Sequence, residues 1–452
     1  MTSLPEMVLD ALFPVKNHRY VVAFSGGIDS TVLLHCMVTL RNQGHFRDLR
    51  GIHVHHGLVD QADQWAEHCQ SLCEQWSVPC QITRVSVATG TGTGLEKSAR
   101  SARYRVFEQA LGTRDCLLQG HHQDDQAETL LFRLFRGTGI DGLSGIPANR
   151  PLGQGMLLRP LLSVSRSAIV DYVRKHQLTH IEDASNGNQH FSRNYIRHSL
   201  LPEIDQRWPA VASRLASLAD ECQAVKQQRD GMIAEQVAMA TITKPQWLLG
   251  YKPLLVISQL QTMKAALRQQ VIRHWLKQQT LPIPGREMLG RVFDELIVAK
   301  EEASPLMCWA GCEVRRYRGM LVAAQPHPPV EQCKEVSWDW RKELVLLDDT
   351  FGRLGVKALM TSTRQAVALP AGPLCIKNRM AIDPAMKLAV AGRKGRKTVK
   401  RWLQEYQVPP WLRQRIPFVF RGDSMICAPG VWVCEGFQAK EGAGHEVVWD
   451  VY

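Results

Sequence analysis

Residues 20–30 read YVVAFSGGIDS, an apolar run that passes directly into two serines and two glycines and then into helix-forming sequence. This is the feature that most restricts the fold. A buried strand that turns within a few residues into a helix leaves the first N–H groups of that helix unpaired at the strand's carboxyl end. The segments that follow repeat the order. Helices are expected over 28–41, with Val32, Leu33 and Cys36 inward, and over 63–76, 95–111 and 123–136; strands are expected over 51–55, 80–87 and 115–119. Alternating strands and helices predict a parallel, doubly wound, Rossmann-like α/β sheet with right-handed crossovers, and ligands beyond the carboxyl ends of its strands. In the helix over 63–76, Trp65, Cys69, Leu72 and Trp76 recur at helical spacing and read as core.

The turn itself suits phosphate. Gly26 and Gly27 allow close backbone approach, Ser25 and Ser30 add hydroxyl donors, and Ile28 opens a helix whose dipole favours an anion. Asp29 repels phosphate and is expected to act through Mg²⁺. The loop is not GxxxxGK[ST]; the nearest match to that pattern, GRKGRKT at 392–398, lacks the Gly-Lys pair in place. The SGGIDS segment resembles the loop of the N-type ATP pyrophosphatases, which cleave ATP to AMP and pyrophosphate.

A second cluster follows the strand over 115–119. In GHHQDDQAET (120–129), helical spacing puts His121, Asp125 and Glu128 at i, i+4 and i+7 on one face. Two carboxylates and a proton carrier can hold Mg²⁺ or grip and deprotonate an amine. Asp124 is read as complementing the helix dipole.

Of the 452 residues, 45 % are hydrophobic and 22 % charged, a globular balance, and the length implies several domains. No apolar run reaches the roughly 18 residues of a membrane span, and the first residues carry Glu6 and Asp10 where a secretory signal has bases. The twelve cysteines include no CxxC; the pairs Cys69/Cys73 and Cys308/Cys312 are read as small hydrophobes sharing a helix face. The expected location is the cytoplasm. The net charge of +12 calls for a polyanionic partner, nucleic acid first. Arg393, Lys394, Arg396, Lys397, Lys400 and Arg401 fall within nine residues and form an expected RNA-docking surface, with Trp402, Tyr406 and Trp411 read as core behind it. The expected division is a catalytic domain over 1–217, a mainly helical middle domain over 218–328 and a small mixed α/β domain over 335–452, with a linker at PHPP (326–329).

With these motifs in hand the chain resembles the tRNA(Ile)-lysidine synthetase family. The agreement runs through HVHHGL (53–58), GTGLEKSARSARYRVF (92–107), FRGTGIDGLSGI (135–146), RPLL (159–162), EDASN (182–186), SRNYIR (192–197), RWP (207–209) and the basic stretch over 392–417. It is densest over 20–210 and 390–440. Lys97 departs from the family's usual small residue.

The resemblance implies an ATP- and Mg²⁺-dependent two-step ligation. The wobble cytidine of the CAU-anticodon isoleucine tRNA is adenylated, and free L-lysine then attacks through its ε-amine to give lysidine and AMP. By analogy Ser25, Gly26, Gly27, Ile28, Asp29 and Ser30 hold ATP, Asp29 places Mg²⁺, and His121, Asp125 and Glu128 line the lysine and cytidine site. Arg193 neutralises a phosphate or the lysine carboxylate. His53 and His55 share a strand face and either border the adenine or pack in the core. Arg100 and Arg103, with Arg105, flank the glycine-rich segment holding Gly90, Gly92 and Gly94 and are expected to meet the anticodon stem. Self-association as a homodimer is compatible with the family. The competing readings are a related loop enzyme that thiolates tRNA, against which the missing CxxC speaks, amide or nucleotide synthesis, which leaves the basic tail unused, and a non-catalytic RNA-binding protein, against which the intact Asp29, Asp125 and Glu128 speak.

Overall fold

The computed structural model describes residues 3–16, 18–57, 61–86, 95–183, 187, 192–242, 253–298, 305–326, 330, 335–341, 345–348, 352–359, 366–439 and 444–450. The segment with Gly90, Gly92 and Gly94, and all of the PHPP stretch except Pro326, lie outside them. The chain divides into two compact units, Met1–Arg229 and Asp230–Tyr452.

The first unit is built on six strands: β1 (Arg19–Ala23), β2 (Leu49–His55), β3 (Cys80–Arg84), β4 (Asp115–Leu118), β5 (Asn149–Leu152) and β6 (Gly155–Leu158). Their order is β3-β2-β1-β4-β6-β5. Every neighbouring pair is parallel except β5 with β6, a hairpin that adds an antiparallel edge. That hairpin was not expected; its four-residue strands, one with a proline, are too short to show a period. The helices are α1 (Leu4–Leu12), α2 (Ile28–Asn42), α3 (Ala62–Gln75), α4 (Leu95–Ala110), α5 (Gln123–Phe135), α6 (Ile140–Leu143), α7 (Arg166–His176), α8 (Ser192–Tyr195), α9 (Leu201–Arg207) and the start of α10 (Val211–Ala240), whose last turns belong to the second unit. A π-helical turn, Ile196–Leu200, joins α8 to α9.

Strand alternation divides the core in two. Tyr20 and Val22 of β1 pack with Leu33, Met37 and Cys69 from α2 and α3, while Val21 packs on the other face with Ile52, Leu117 and Phe107 of α4. Helices therefore cover both faces, as a parallel sheet requires. Helix α2 lies between the sheet and α1 and α7, so Val32, Leu33, Leu34, Cys36 and Met37 are all fully buried.

Two close approaches shape the β1–α2 turn. Gly26 has φ of 82°, and a Cβ there would stand 2.3 Å from Ile181 Cδ1 and 3.0 Å from Cys69 Sγ. Gly120, after β4, packs so tightly that a Cβ would meet the Asp29 backbone at 2.9 Å. Gly26→Ala combines left-handed strain with a steric clash and is expected to cost about 1–3 kcal/mol. Chemical denaturation measures this, and an unchanged midpoint would show that the turn relaxes freely.

The second unit has two parts. In the first, helices Ile257–Thr262, Ala265–Gln278 and Arg286–Arg291 pack through the buried Trp275 against a five-stranded antiparallel sheet. Cys308 and Cys312 belong to that sheet, on adjacent strands of a hairpin. The i,i+4 helix reading thus holds for Cys69/Cys73 in α3 but not for them; a turn at Ala310 and Gly311 separates the pair. The second part joins a five-stranded sheet, a three-stranded sheet and a hairpin (Lys387–Ala389 with Arg396–Thr398) to helix Val399–Glu405, around the fully buried Trp402. All described cysteines are free thiols. Among the described residues no helix is long and apolar enough to cross a membrane.

Candidate active site

Helix α2 has Gly27 as its N-cap, in extended conformation, with no side chain capping it. Its first-turn N–H groups therefore lack a side-chain acceptor and suit an anion. The serines instead brace the turn: Ser30 Oγ donates to the Gly27 carbonyl at 2.9 Å and accepts the Ser25 N–H at 3.2 Å, with Ser25 Oγ 3.1 Å away. Behind the turn, the Ile181 N–H donates to the Gly26 carbonyl at 2.9 Å.

The turn opens onto a cavity of about 610 Å³, lined by Ser25, Gly27, Asp29, Ser30, His53, His55, Trp65, Arg103 and Asp125 among others. His53 and His55 share one face of β2, as alternation requires. His53 Nδ1–H donates to the Phe24 carbonyl at 2.9 Å, leaving Nε2 as an acceptor, and burial holds its pKa below the ordinary value. Trp65 lines this cavity rather than packing in the core; Cys69 and Leu72 of the same helix are buried as expected. Arg103 also lines it, whereas Arg100 borders a different pocket.

Asp29, Asp125 and Glu128 come together at the carboxyl ends of β1 and β4. The expected helical face is only partly right: α5 starts at Gln123, and His121 stands in the loop before it. His121 still reaches a cavity of about 170 Å³ with Asp125, Glu128, Thr129, Arg193 and Arg197. Its Nδ1 accepts from Arg159 Nε at 3.2 Å, and desolvation together with Arg159, Arg100 and Arg103 holds its pKa well down. His121 is a neutral imidazole there.

Nothing in the sequence separates His122 from His121. His122 is 2 % exposed, and its Nε2 lies 3.7 Å from both Asp29 Oδ1 and Asp125 Oδ2. Burial opposes its charge, but Asp124, Asp125 and Asp29 outweigh burial and raise its pKa. Asp29 shows the converse: burial raises its pKa against the opposing pull of His122 and Arg166. The Arg166 guanidinium is hydrogen-bonded to Asp29, and its backbone N–H donates to Asp124 at 3.0 Å. Asp124 therefore anchors the start of α7 as well as complementing the dipole of α5.

Arg197 changes the picture most. Its Nε donates to Glu128 Oε1 at 2.5 Å, and its Nη2 donates to Glu128 Oε2 at 3.0 Å and to Asp125 Oδ1 at 2.9 Å. The carboxylate pair expected to receive an ammonium already holds a guanidinium. Glu128 is 4 % exposed, and burial raises its pKa against the lowering effect of Arg197. The signal in the sequence is the spacing inside SRNYIR, where Arg197 follows Arg193 by one helical turn. Arg193 lines the same small cavity but points its guanidinium over Phe132, 5.9 Å from the ring centre.

Beside these groups is a pocket of about 520 Å³ lined by Arg100, Arg133, Arg150, Arg159 and Arg193, with Tyr104 and His121. Arg100 and Arg150 each stack on Tyr104, at 5.3 and 5.1 Å. Arg133 and Arg159 also donate to backbone carbonyls, and the five guanidiniums together give the pocket a positive potential.

In the second unit, Arg393, Lys394, Arg396, Lys400 and Arg401 are exposed on the hairpin and on helix Val399–Glu405. Lys397 is different: it is paired with Glu405 and packs over Trp402 at 4.7 Å. Trp402 is core, as expected, and its indole N–H donates to the Leu388 carbonyl at 3.0 Å.

Among the described residues no set of three His, Cys, Asp or Glu is arranged to hold a metal. A Mg²⁺ bound by one or two carboxylates plus substrate phosphates needs no such set. Asp29, in the first turn of α2 beside the uncapped amides, would fit that donor pattern.

An uncapped helix start at the carboxyl edge of a parallel sheet, with buried carboxylates beside it, defines a nucleotide-using α/β enzyme. Comparison with known families agrees. The model described as a PP-loop domain matches residues 2–204, the TilS substrate binding domain matches 255–322, and the TilS substrate C-terminal domain matches 378–449. The tRNA(Ile)-lysidine synthase of Serratia proteamaculans (strain 568) is 38 % identical over 427 residues, covering 94 % of each chain. That of Coxiella burnetii is 33 % identical over 448 residues, covering 99 % of this chain and 96 % of its own. That of Yersinia pestis is 36 % identical over 453 residues, covering 98 % and 96 %. The chain belongs to the tRNA(Ile)-lysidine synthase family, and it is an ATP-dependent, tRNA-modifying ligase.

Proposed function

We propose that this enzyme joins free L-lysine to the wobble cytidine of the CAU-anticodon isoleucine tRNA. Cytidine O2 attacks the α-phosphorus of ATP and pyrophosphate leaves. The lysine ε-amine then attacks C2, AMP departs, and the amine sheds its protons. The observation that carries the reading is the juxtaposition of two sites. An amide-lined turn for a triphosphate opens onto a cavity that also holds Asp125, which in turn lines the small carboxylate cavity with Glu128.

Each residue has a role in this scheme. The first-turn amides of α2, from Ile28 onward, with Ser25, Gly26, Gly27 and Ser30, bind the pyrophosphate portion. Asp29 holds Mg²⁺, which when bound offsets phosphate charge. His53 presents Nε2 toward the base. Asp125 and Glu128 receive the lysine ammonium, with Arg197 yielding or sharing its place. Asp125 is positioned to take the amine's protons, and neutral His121 lines the same cavity as a hydrogen-bonding group. Arg193, with the five-arginine pocket that includes Arg100, takes the lysine carboxylate or an RNA phosphate. Arg103 contributes charge to the ATP cavity, a different use from the anticodon contact expected of it. The free thiols fit a cytoplasmic setting.

A three-part division at 1–217, 218–328 and 335–452 is supported by the family-model matches, each of which falls inside one part. The basic stretch then serves as the tRNA-docking surface. Neutralising Arg393, Arg396 and Lys400 together is expected to weaken tRNA binding and reduce its salt slope by roughly two to three. Titrations at several salt concentrations measure this, and an unaltered slope would remove the stretch from the binding surface. The reading as a whole is tested by incubation with labelled lysine, ATP and the CAU-anticodon tRNA, followed by nucleoside analysis. Label in a nucleoside that depends on both ATP and the wobble cytidine is expected; no incorporation would overturn the reaction.

A further inference from the structure

We propose that an exposed aromatic groove at the end of α5 is a stacking platform for unpaired RNA bases next to the reacting cytidine; this rests on the tRNA-ligase reading above. The groove, about 480 Å³, lies where α5 meets α8 and the π-helical turn and is lined by Phe132, Phe135, Arg136, Tyr195, Ile196 and Leu200. Phe135 is 65 % and Tyr195 51 % exposed. Both could have been polar without loss to any core, so their exposure calls for an occupant with a flat apolar face.

The charges identify its chemistry. The guanidiniums of Arg136 and Arg193 approach the Phe132 ring to 5.2 and 5.9 Å, and no carboxylate lines the groove among the described residues. Aromatic faces interleaved with arginines bind single-stranded nucleic acid, because each base offers a π-face and each nucleotide a phosphate. A protein partner would more commonly meet such a rim with mixed charge.

Position supplies the second argument. Arg193, whose guanidinium lies over the groove's Phe132 ring, lines the cavity that holds His121, Asp125 and Glu128. One side chain therefore connects the groove to the reacting groups. A cytidine that enters that cavity must leave its stack, and its neighbours lose their stacking partner. Phe135 and Tyr195 replace that partner. The platform tolerates any base, so selection of the target falls to the cavity.

The test uses the full-length protein and a synthetic anticodon stem-loop of the CAU isoleucine tRNA carrying 2-aminopurine beside the wobble position. Wild type, Phe135→Ala, Tyr195→Ala and Phe135→Tyr are compared for fluorescence change, stem-loop affinity, lysidine formation and oligomeric state. Loss of the fluorescence change and roughly tenfold weaker binding in each alanine variant is expected, with Phe135→Tyr close to wild type. Alanine variants that match wild type in both signals, while wild type forms lysidine, would overturn the platform alone. An altered oligomeric state with RNA binding intact would mark the groove as a contact between copies and likewise overturn it. Wild type that forms no lysidine would remove the ligase reading and the platform with it.

Discussion

Asp29→Ala and Asp125→Ala are each expected to lower turnover about 10²–10³-fold, equivalent to about 2.7–4 kcal/mol of barrier, with tRNA affinity largely kept. The argument is electrostatic. Asp29 stands at the first turn of α2, where the triphosphate is proposed to lie, and Asp125 lines both the cavity in front of that turn and the carboxylate cavity. Both face His122 Nε2 at 3.7 Å, so either loss also removes one of the carboxylates that raise the pKa of that buried ring. Neither residue belongs to the exposed basic stretch proposed to dock tRNA. Single-turnover kinetics with saturating ATP, alongside a filter-binding assay, separate the two effects. Near-normal turnover in either variant would remove its proposed role, and a parallel collapse of tRNA affinity would point to misfolding.

Arg197→Met is expected to destabilise the first unit by about 2–4 kcal/mol at neutral pH. The figure sits below the cost of breaking a fully buried pair because the Arg197 side chain is 39 % exposed. Methionine keeps much of the packing and removes all the donors. Glu128, 4 % exposed, then keeps its charge without a partner or takes up a proton. The pH dependence follows. Glu128 already has a folded pKa above the ordinary 4.5, and losing Arg197 raises it further. A carboxyl with a raised folded pKa is fully accommodated below its unfolded pKa and loses stability as pH rises through the folded value. The gap between variant and wild type is therefore largest at neutral pH and narrows as pH falls toward 4.5. Thermal melts of both proteins across that range measure it; a gap that stays constant with pH would mean that Glu128 is not the group left unpaired. In activity assays the same variant reports whether Arg197 restrains or assists lysine entry, through KM for lysine against kcat.

Much of the first unit was legible in the sequence because its elements are long and periodic. The helices expected over 28–41, 95–111 and 123–136 appear as Ile28–Asn42, Leu95–Ala110 and Gln123–Phe135, each within about a residue at either end. Less visible were the short elements. The β5–β6 hairpin offers too few residues for a pattern, and in the second unit five short strands accompany the helices over 241–324. The site was legible in part. SGGIDS could be placed because a helix start carries its own amides and dipole, a local property. The choice between His121 and His122 was not local: α5 begins two residues after His121, which therefore does not share its face, and tertiary packing puts His122 between two carboxylates from different elements.

The sequence by itself determined the alternation of strands and helices, the glycine-rich turn from β1 into α2 and the presence of acidic and basic clusters, since each depends on neighbours a few residues apart. Only the tertiary structure decided which charges meet. Arg197 reaches Glu128 and Asp125 across 69 and 72 residues of chain, and Arg166 reaches Asp29 across 137. Those pairings are selected by the cost of burying an uncompensated charge, and that cost arises only once the helices have packed and excluded water.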